Sequence, residues 1–378
     1  MKVGILTFHR ADNYGAVLQA YALYSQCVSM KCDVEIIDYC CNAIENSYLP
    51  IKLPQLRKNM YRWSVDAVNY LRYGQAWNEK KEKFQLFREK ITMSPPYTSS
   101  SDRCLIEAEY DYIITGSDQI WSADILDNKP DYWYCYKKES MCPVKVISYA
   151  ASVGSLSRFV ENWSDFEHAL SKYDALSVRE HEVQVFLEEK LHRKIYTVLD
   201  PTLLVDKQLW LDLIDCEDIQ NDNCLVYYDV AQNELSRKIA RTIARQDKYL
   251  IVKFNQIKSP TLNTEYLSNA GPIDFLNSIY NAECIVTSSF HATIFSVLFH
   301  KKFITVLHPI TGERIRSLLS MLGLEDRIMY DCAKNVTEMM NRPIDYVSVD
   351  LKLSKLREES IDYLKTALGL CENKEYEF

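Results

Sequence analysis

Val3-Gly4-Ile5-Leu6-Thr7-Phe8 is a short apolar run that ends in the polar turn Ala11-Asp12-Asn13-Tyr14-Gly15. A run of this length bounded by turn residues reads as a buried strand. Val17, Leu18, Tyr21, Tyr24 and Val28 then recur at helical spacing, and Val34–Asp38 reads as a second strand. Strand, helix, strand within the first 38 residues is a βαβ opening, which predicts a parallel sheet covered by helices.

The alternation continues outward from that opening. Residues 55–91 read as helix, with a lysine and glutamate face around Asn78–Lys90 that is most simply solvated. Pro95-Pro96 and Ser99–Ser101 mark a loop. Tyr112–Thr115, Val144–Tyr149, Ala175–Val178 and Ile195–Leu199 read as short strands, with helical patterns near Phe166–Leu170 and Val183–Leu187. A second set places strands at Cys224–Tyr228, Tyr249–Val252, Cys284–Thr287 and Phe303–Leu307. Its helices fall near Glu234–Arg245, Ile273–Tyr280, Phe290–Leu298 and Arg314–Leu322. A last amphipathic pattern lies near Leu351–Leu368. The expectation is an α/β chain of two Rossmann-like domains facing an interdomain cleft, the GT-B architecture. The domains are 1–205 and 206–350, and a terminal helix in 351–378 packs back on the first.

Composition removes several function classes. The 378 residues include nine glycines, and no two are two positions apart. A G-x-G-x-x-G loop is therefore impossible, and Walker A and G-x-S-x-G patterns are missing too. The net charge is −8 with no basic tract, which argues against nucleic acid as a partner. Twelve cysteines form no C-x-x-C pair and suit buried thiols in a reducing cytoplasm. No apolar run approaches the roughly 18 residues of a membrane span. Peripheral contact with the inner face of a membrane stays open. H-E-x-x-H, D-x-D and EF-hand patterns are absent, so no metal site is expected.

Five segments stand at predicted strand ends, where open α/β sheets bind ligands. His9–Ala16 offers Asn13 as a helix cap, with Tyr14 and Gly15 beside it. An ordinary β–α turn fits those residues equally well. Thr115–Trp121 offers Ser117, Asp118 and Gln119 to sugar hydroxyls and Trp121 to a sugar face. A capped turn over a buried tryptophan is the alternative. Arg179 suits carboxylate or phosphate, or else pairs at the surface with Glu180 or Glu182. Nearby Asp200 reads as an interdomain acid. Thr287-Ser288-Ser289-Phe290-His291-Ala292-Thr293 puts a serine cap at a helix start, where an anion is favoured. His291 in that first turn has proton-transfer chemistry near neutral pH, or packs between helix and sheet. Thr311–Arg316 offers Arg314 and Arg316 to phosphate, or forms an internal salt bridge with Glu313.

In this order, these blocks resemble the polysaccharide pyruvyl transferase family. The set is Gly4–His9 with Asn13–Ala20, Gly116–Trp121, Ser148–Gly154, Ser177–Glu180, Asp200-Pro201-Thr202, Ser288–His291 and the segment at Arg314, spanning roughly 4–330. One departure is Ala292, where the family often has glycine. The resemblance implies transfer of a pyruvyl group from phosphoenolpyruvate to a sugar, with ketal closure and phosphate release. It implies His291 as the catalytic residue and Arg179, Ser289 and Phe290 as donor contacts, to which Arg314 is added here. The acceptor, a lipid-linked or nucleotide-linked sugar, is expected on the first domain at Asn13, Tyr14, Gly15, Ser117, Asp118 and Gln119. The donor is expected on the second domain. No cofactor is implied. Two rival classes remain: a GT-B glycosyltransferase or nucleotide-sugar epimerase, and a non-catalytic subunit of a polysaccharide assembly complex.

Overall fold

The structure, a computed structural model, describes residues 1–41, 44–45, 60–98, 103–122, 125, 143–214, 223–230, 233–254, 263–331 and 335–370. The chain forms two compact units: Met1–Glu45 with Arg88–Val205 and Asp350–Phe378, and Asn46–Phe87 with Asp206–Val349.

The first unit is built on strands β1 (Lys2–Leu6), β2 (Asp33–Ile36), β3 (Tyr112–Thr115) and β4 (Lys145–Ser148). All pairings are parallel and the order is β2-β1-β3-β4. Strands β5 (Ser177–Val178) and β6 (Tyr196–Thr197) pair with each other, and bridges at Ile147–Ala175 and Ala151–Val178 carry the sheet on from β4. Helix α1 (Tyr14–Ser29) connects β1 to β2. It starts where it does because the Asn13 side chain accepts a hydrogen bond from the Ala16 amide at 3.3 Å. The core joins Val3, Ile5, Ile114 and Ile147 to Leu23 of the helix and to Tyr363 and Leu364 near the end of the chain.

The second unit holds β7 (Cys224–Tyr228), β8 (Leu250–Lys253), β9 (Thr264–Tyr266), β10 (Cys284–Thr287) and β11 (Lys302–Thr305). They are parallel in the order β11-β10-β7-β8-β9. Helix α2 (Met60–Arg88) contributes to this unit: Lys83 pairs with Asp274 at 2.8 Å and Glu79 accepts from Asn269 at 2.7 Å. The expected N-terminal domain of 1–205 is therefore interrupted, because residues up to Phe87 of this helix group with the second sheet. Helix α3 (Glu234–Asp247) packs Ile239 and Ile243 against Leu225 and Ile251. Each such side chain contributes about 1.5–3 kcal/mol when fully buried. Helix α4 (Pro272–Asn281) sends Phe275 to Tyr228, which points to the opposite face of the sheet from Leu225. Helices α5 (Phe290–Leu298) and α6 (Glu313–Leu322) follow β10 and β11. Helix α7 (Tyr346–Ala367) begins in the second unit, and from Asp350 onward the chain belongs to the first.

Strand β9 had no sequence signal, since Thr264-Glu265-Tyr266 lacks an apolar run. Among the described residues the free thiols are Cys27, Cys32, Cys40, Cys41, Cys224 and Cys284; Cys32 and Cys40 are half-buried and the others buried. No helix among the described residues is long and apolar enough to cross a membrane.

Candidate active site

Both sheets have a topological switch point, where the chain leaves a central strand in opposite directions. In the first unit it lies between β1 and β3, and in the second between β7 and β10. The sequence singled out the residues at the carboxyl ends of β1, β3 and β10, and not those that follow β7.

At the first switch, β1 continues into Thr7, Phe8 and His9. Gln19 of α1 ties the two strand exits together: its amide donates to Thr7 Oγ1 at 2.8 Å, and its carbonyl accepts from the Ser117 amide at 3.2 Å. Ser117 is fully buried and donates to the Ala150 carbonyl at 3.0 Å. Gly116 has φ +121°, and a Cβ there would lie 2.2 Å from the Tyr149 carbonyl oxygen. Only glycine fits that position. Tyr14 and Gly15 are buried, Asn13 is exposed and Gln119 half-buried. Of the six expected acceptor residues, Tyr14, Gly15 and Ser117 therefore shape the loop. Asn13 and Gln119 present surface. Trp121 is fully buried edge-on to Tyr173, so it packs the core and does not offer a face to a sugar.

The turn after β1 is pinned through Asp38 and Arg88, which the sequence reading missed. His9 Nε2 lies 2.8 Å from Asp38 Oδ1, and Arg10 grips both Asp38 oxygens at 2.7 and 2.8 Å. Burial alone would raise the Asp38 pKa, but hydrogen bonds from His9 and Arg10 outweigh it and hold the carboxyl well below its usual range. Arg88 donates to the carbonyls of His9 at 2.9 Å and Arg10 at 3.3 Å, and pairs with Asp12. A signal for Asp38 existed: it is an acid closing an apolar parallel strand. Arg88 sits in a charge-rich helix and had none.

Arg179 is buried, not at the surface. Its guanidinium binds Asp200 at 2.6 Å and lies 3.5 Å from Asp118. Asp200 is itself engaged, accepting from the Thr202 amide at 2.9 Å and hydroxyl at 2.5 Å. This side chain is fully buried and committed to structure, which corrects its reading as an interdomain acid. Arg179 thus stands in the first unit with Asp118 and not in the unit that holds His291.

At the second switch, Tyr228 and Thr287 end adjacent strands. Ser289 is the helix cap and accepts from the Ala292 amide at 3.4 Å. Ser288 does something else: its hydroxyl donates to Asp229 Oδ1 at 2.6 Å and accepts from the Val230 amide at 3.0 Å. Asp229 Oδ2 also accepts from Tyr227 Oη, the Asn233 amide and Ser236 Oγ at 2.9, 2.7 and 2.6 Å. One carboxylate therefore joins the ends of β7 and β10 to the start of α3. Phe290 and His291 occupy the first turn of α5, their rings edge-to-face at 5.3 Å. Arg314 is buried with its guanidinium 5.3 Å from the Phe290 ring centroid. Arg316 instead pairs with Glu313 at 3.5 Å, both partly exposed. Ala292 is fully buried.

His308, also missed, follows β11. Its Nδ1 accepts from the amides of Ile310 and Thr311 at 3.2 and 3.1 Å, so the neutral ring carries its proton on Nε2. Burial and the charge of Arg314 lower its pKa, partly offset by Asp229. The structure thus gathers Ser289, Phe290, His291 and Arg314, with Asp229 and His308, at one sheet edge. Positive charge, a histidine and a helix amino end at one place suit an anionic substrate that must gain or lose a proton. Among the described residues no group of three His, Cys, Asp or Glu side chains could hold a metal ion.

The GT-B-like α/β fold is shared with solved structures across nearly the whole chain. The S. aureus MnaA–UDP structure has a TM-score of 0.53 and 12% identity, covering 100% of this chain and 99% of its own. UDP-GlcNAc 2-epimerase from Neisseria meningitidis bound to UDP-GlcNAc has a TM-score of 0.54 and 9% identity, covering 97% and 99%. Anabaena HepE in complex with UDP and glucose has a TM-score of 0.53 and 10% identity, covering 98% of each chain. No curated protein matches the chain. The family model described as polysaccharide pyruvyl transferase matches residues 13–308.

Proposed function

The chain belongs to the polysaccharide pyruvyl transferase family, and on that premise we propose that phosphoenolpyruvate is its donor and a sugar of a surface-polysaccharide precursor its acceptor. The product is a cyclic pyruvate ketal, and inorganic phosphate is released. The observation that carries this reading is His291 in the first turn of α5 beside the Phe290–Arg314 stack.

Phosphoenolpyruvate brings a phosphate and a carboxylate. The amides at the start of α5 favour one anion, and Arg314 complements the other. Protonation of the methylene carbon makes the neighbouring carbon cationic. A sugar hydroxyl adds there and loses its proton. The C–O bond to phosphate breaks, and a second hydroxyl of the same sugar closes the ring with loss of a second proton. The acceptor therefore gains pyruvic acid less one water. His291 handles a proton transfer or steadies the departing phosphate, help that is typically worth about 10²–10⁴-fold. Asn13, Asp118 and Gln119 of the first unit are the acceptor contacts in this scheme, and a lipid-linked or nucleotide-linked sugar in the cytoplasm is the acceptor class.

A nucleotide-sugar epimerase or glycosyltransferase reading rests on the shared fold alone, and fold does not set the reaction. The discriminating experiment titrates phosphoenolpyruvate into the protein and its His291→Ala and Arg314→Gln variants. Saturable binding weakened by Arg314→Gln supports the proposal. No binding of phosphoenolpyruvate by the wild-type chain refutes it.

A further inference from the structure

Helix α3 is strongly cationic in a chain whose net charge is −8. Its buried face is Ile239, Ala240, Ile243 and Ala244, and the exposed face carries Arg237, Arg241 and Arg245 at four-residue spacing. Lys253 ends the adjacent strand β8 on the same side of the sheet as Ile251, the α3 side. Its ammonium lies 5.0 Å from the Tyr227 ring centroid and 5.8 Å from that of Tyr266. Among the described residues neither Lys253 nor Arg241 makes an ion pair, while Arg237 pairs with Glu234. Burial, then the charges of Arg241 and Arg237, lowers the pKa of Lys253, a half-buried ammonium that faces two arginines of the neighbouring helix. Such an arrangement is relieved by an anion.

We propose that Lys253, Arg241 and Arg237 form a phosphate-binding subsite that takes the phosphate or diphosphate of the activated sugar acceptor. The carboxyl end of β8 lies beside that of β7, and the Tyr227 hydroxyl links the subsite to Asp229. The assignment of the ligand rests on the acceptor reading above. A sugar activated on a nucleotide and one activated on a lipid share the phosphate chemistry, so this subsite recognises what both have in common.

The test is calorimetric titration of inorganic pyrophosphate into the whole chain with phosphoenolpyruvate saturating, so that the donor site is filled. Lys253→Met and Arg241→Gln should each weaken binding by about tenfold or more, the loss expected when one charged hydrogen bond is removed. Arg158→Gln, at an exposed arginine of the first unit, should leave it unchanged. Equal affinity in wild type and both variants, or displacement of pyrophosphate by phosphoenolpyruvate, overturns the subsite. UDP and a polyprenyl diphosphate in detergent micelles then separate the sources: the one whose binding falls with Lys253→Met is the activating group. Binding to phosphatidylglycerol vesicles without binding of pyrophosphate would also overturn it, making α3 a membrane-facing surface. Pyrophosphate binding that depends on Lys253 in a protein that ignores phosphoenolpyruvate would refute the donor reading and leave the subsite standing.

Discussion

Asp229 is the residue on which the geometry of the second unit's site most depends. It accepts four hydrogen bonds, from Ser288, Tyr227, Asn233 and Ser236, at 2.6–2.9 Å. Each bond to a charged group is worth about 1.5–3 kcal/mol, so the simple sum is an upper bound of about 6–12 kcal/mol. The true cost is smaller. Asp229 is half-buried, and water replaces part of what is lost. Ser288 keeps its bond from the Val230 amide, and the Ser236 hydroxyl turns its one proton to the Asn233 carbonyl. The expected cost of Asp229→Ala is therefore about 3 kcal/mol, near one and a half charged bonds. Asp229→Asn can turn its NH₂ toward the Ser288 hydroxyl and keep its oxygen for the other three donors, so about 1 kcal/mol is expected. Urea denaturation measures both, and the loss should fall on the transition of the second unit. A Ser288→Ala cycle against Asp229→Asn should show a coupling of about 1 kcal/mol, since the pair is in direct contact. Phosphoenolpyruvate affinity should fall with stability in the alanine variant, because the turn before His291 loses its anchor. Asp229→Ala within about 0.5 kcal/mol of wild type would refute the reasoning, since that is the scatter of unimportant surface sites.

Three other expectations follow from the first unit. Arg179→Met strands Asp200 in the interior and should cost about 3–5 kcal/mol, with Asp200→Asn in the same chain recovering part of it, measured by denaturation. Gly116→Ala places a methyl group against the Tyr149 carbonyl at a φ that side chains avoid, and should cost about 3 kcal/mol by the same assay. The Asp38 carboxyl has a folded pKa below its unfolded value of about 4. Its contribution is therefore complete above that pH and is lost as pH falls through the folded pKa. Stability of the wild type measured from neutral pH into acid should drop more steeply below about pH 4 than that of Asp38→Asn, whose side chain does not titrate.

Much of the fold was legible because parallel strands buried on both faces read as short apolar runs. Tyr112–Thr115, Cys224–Tyr228 and Cys284–Thr287 have the bounds their patterns predict. Thr264–Tyr266 was invisible because an edge strand paired on one side needs no apolar run. The grouping of α2 with the second sheet was not legible either. It depends on contacts such as Lys83–Asp274, nearly two hundred positions apart, and spacing along the chain carries no trace of them. In the site, a serine cap before His291 was readable from local rules of capping, though not which of Ser288 and Ser289 supplies it. Arg179 was found as a residue, but its partner was not, since Asp200 is distant in sequence and adjacent only after β5 and β6 pair. Asp229 and His308 were missed although each follows an apolar strand. Neither residue lies in a motif-like block.

The most direct test of the central claim is mass analysis of the acceptor. The protein is incubated with phosphoenolpyruvate and nucleotide-linked or lipid-linked sugars that carry a free pair of hydroxyls. Phosphate release, an acceptor heavier by pyruvic acid less one water, and loss of both in a folded His291→Ala protein are expected. Full turnover by that variant, or transfer of a glycosyl group from the nucleotide sugar with phosphoenolpyruvate untouched, would contradict that claim.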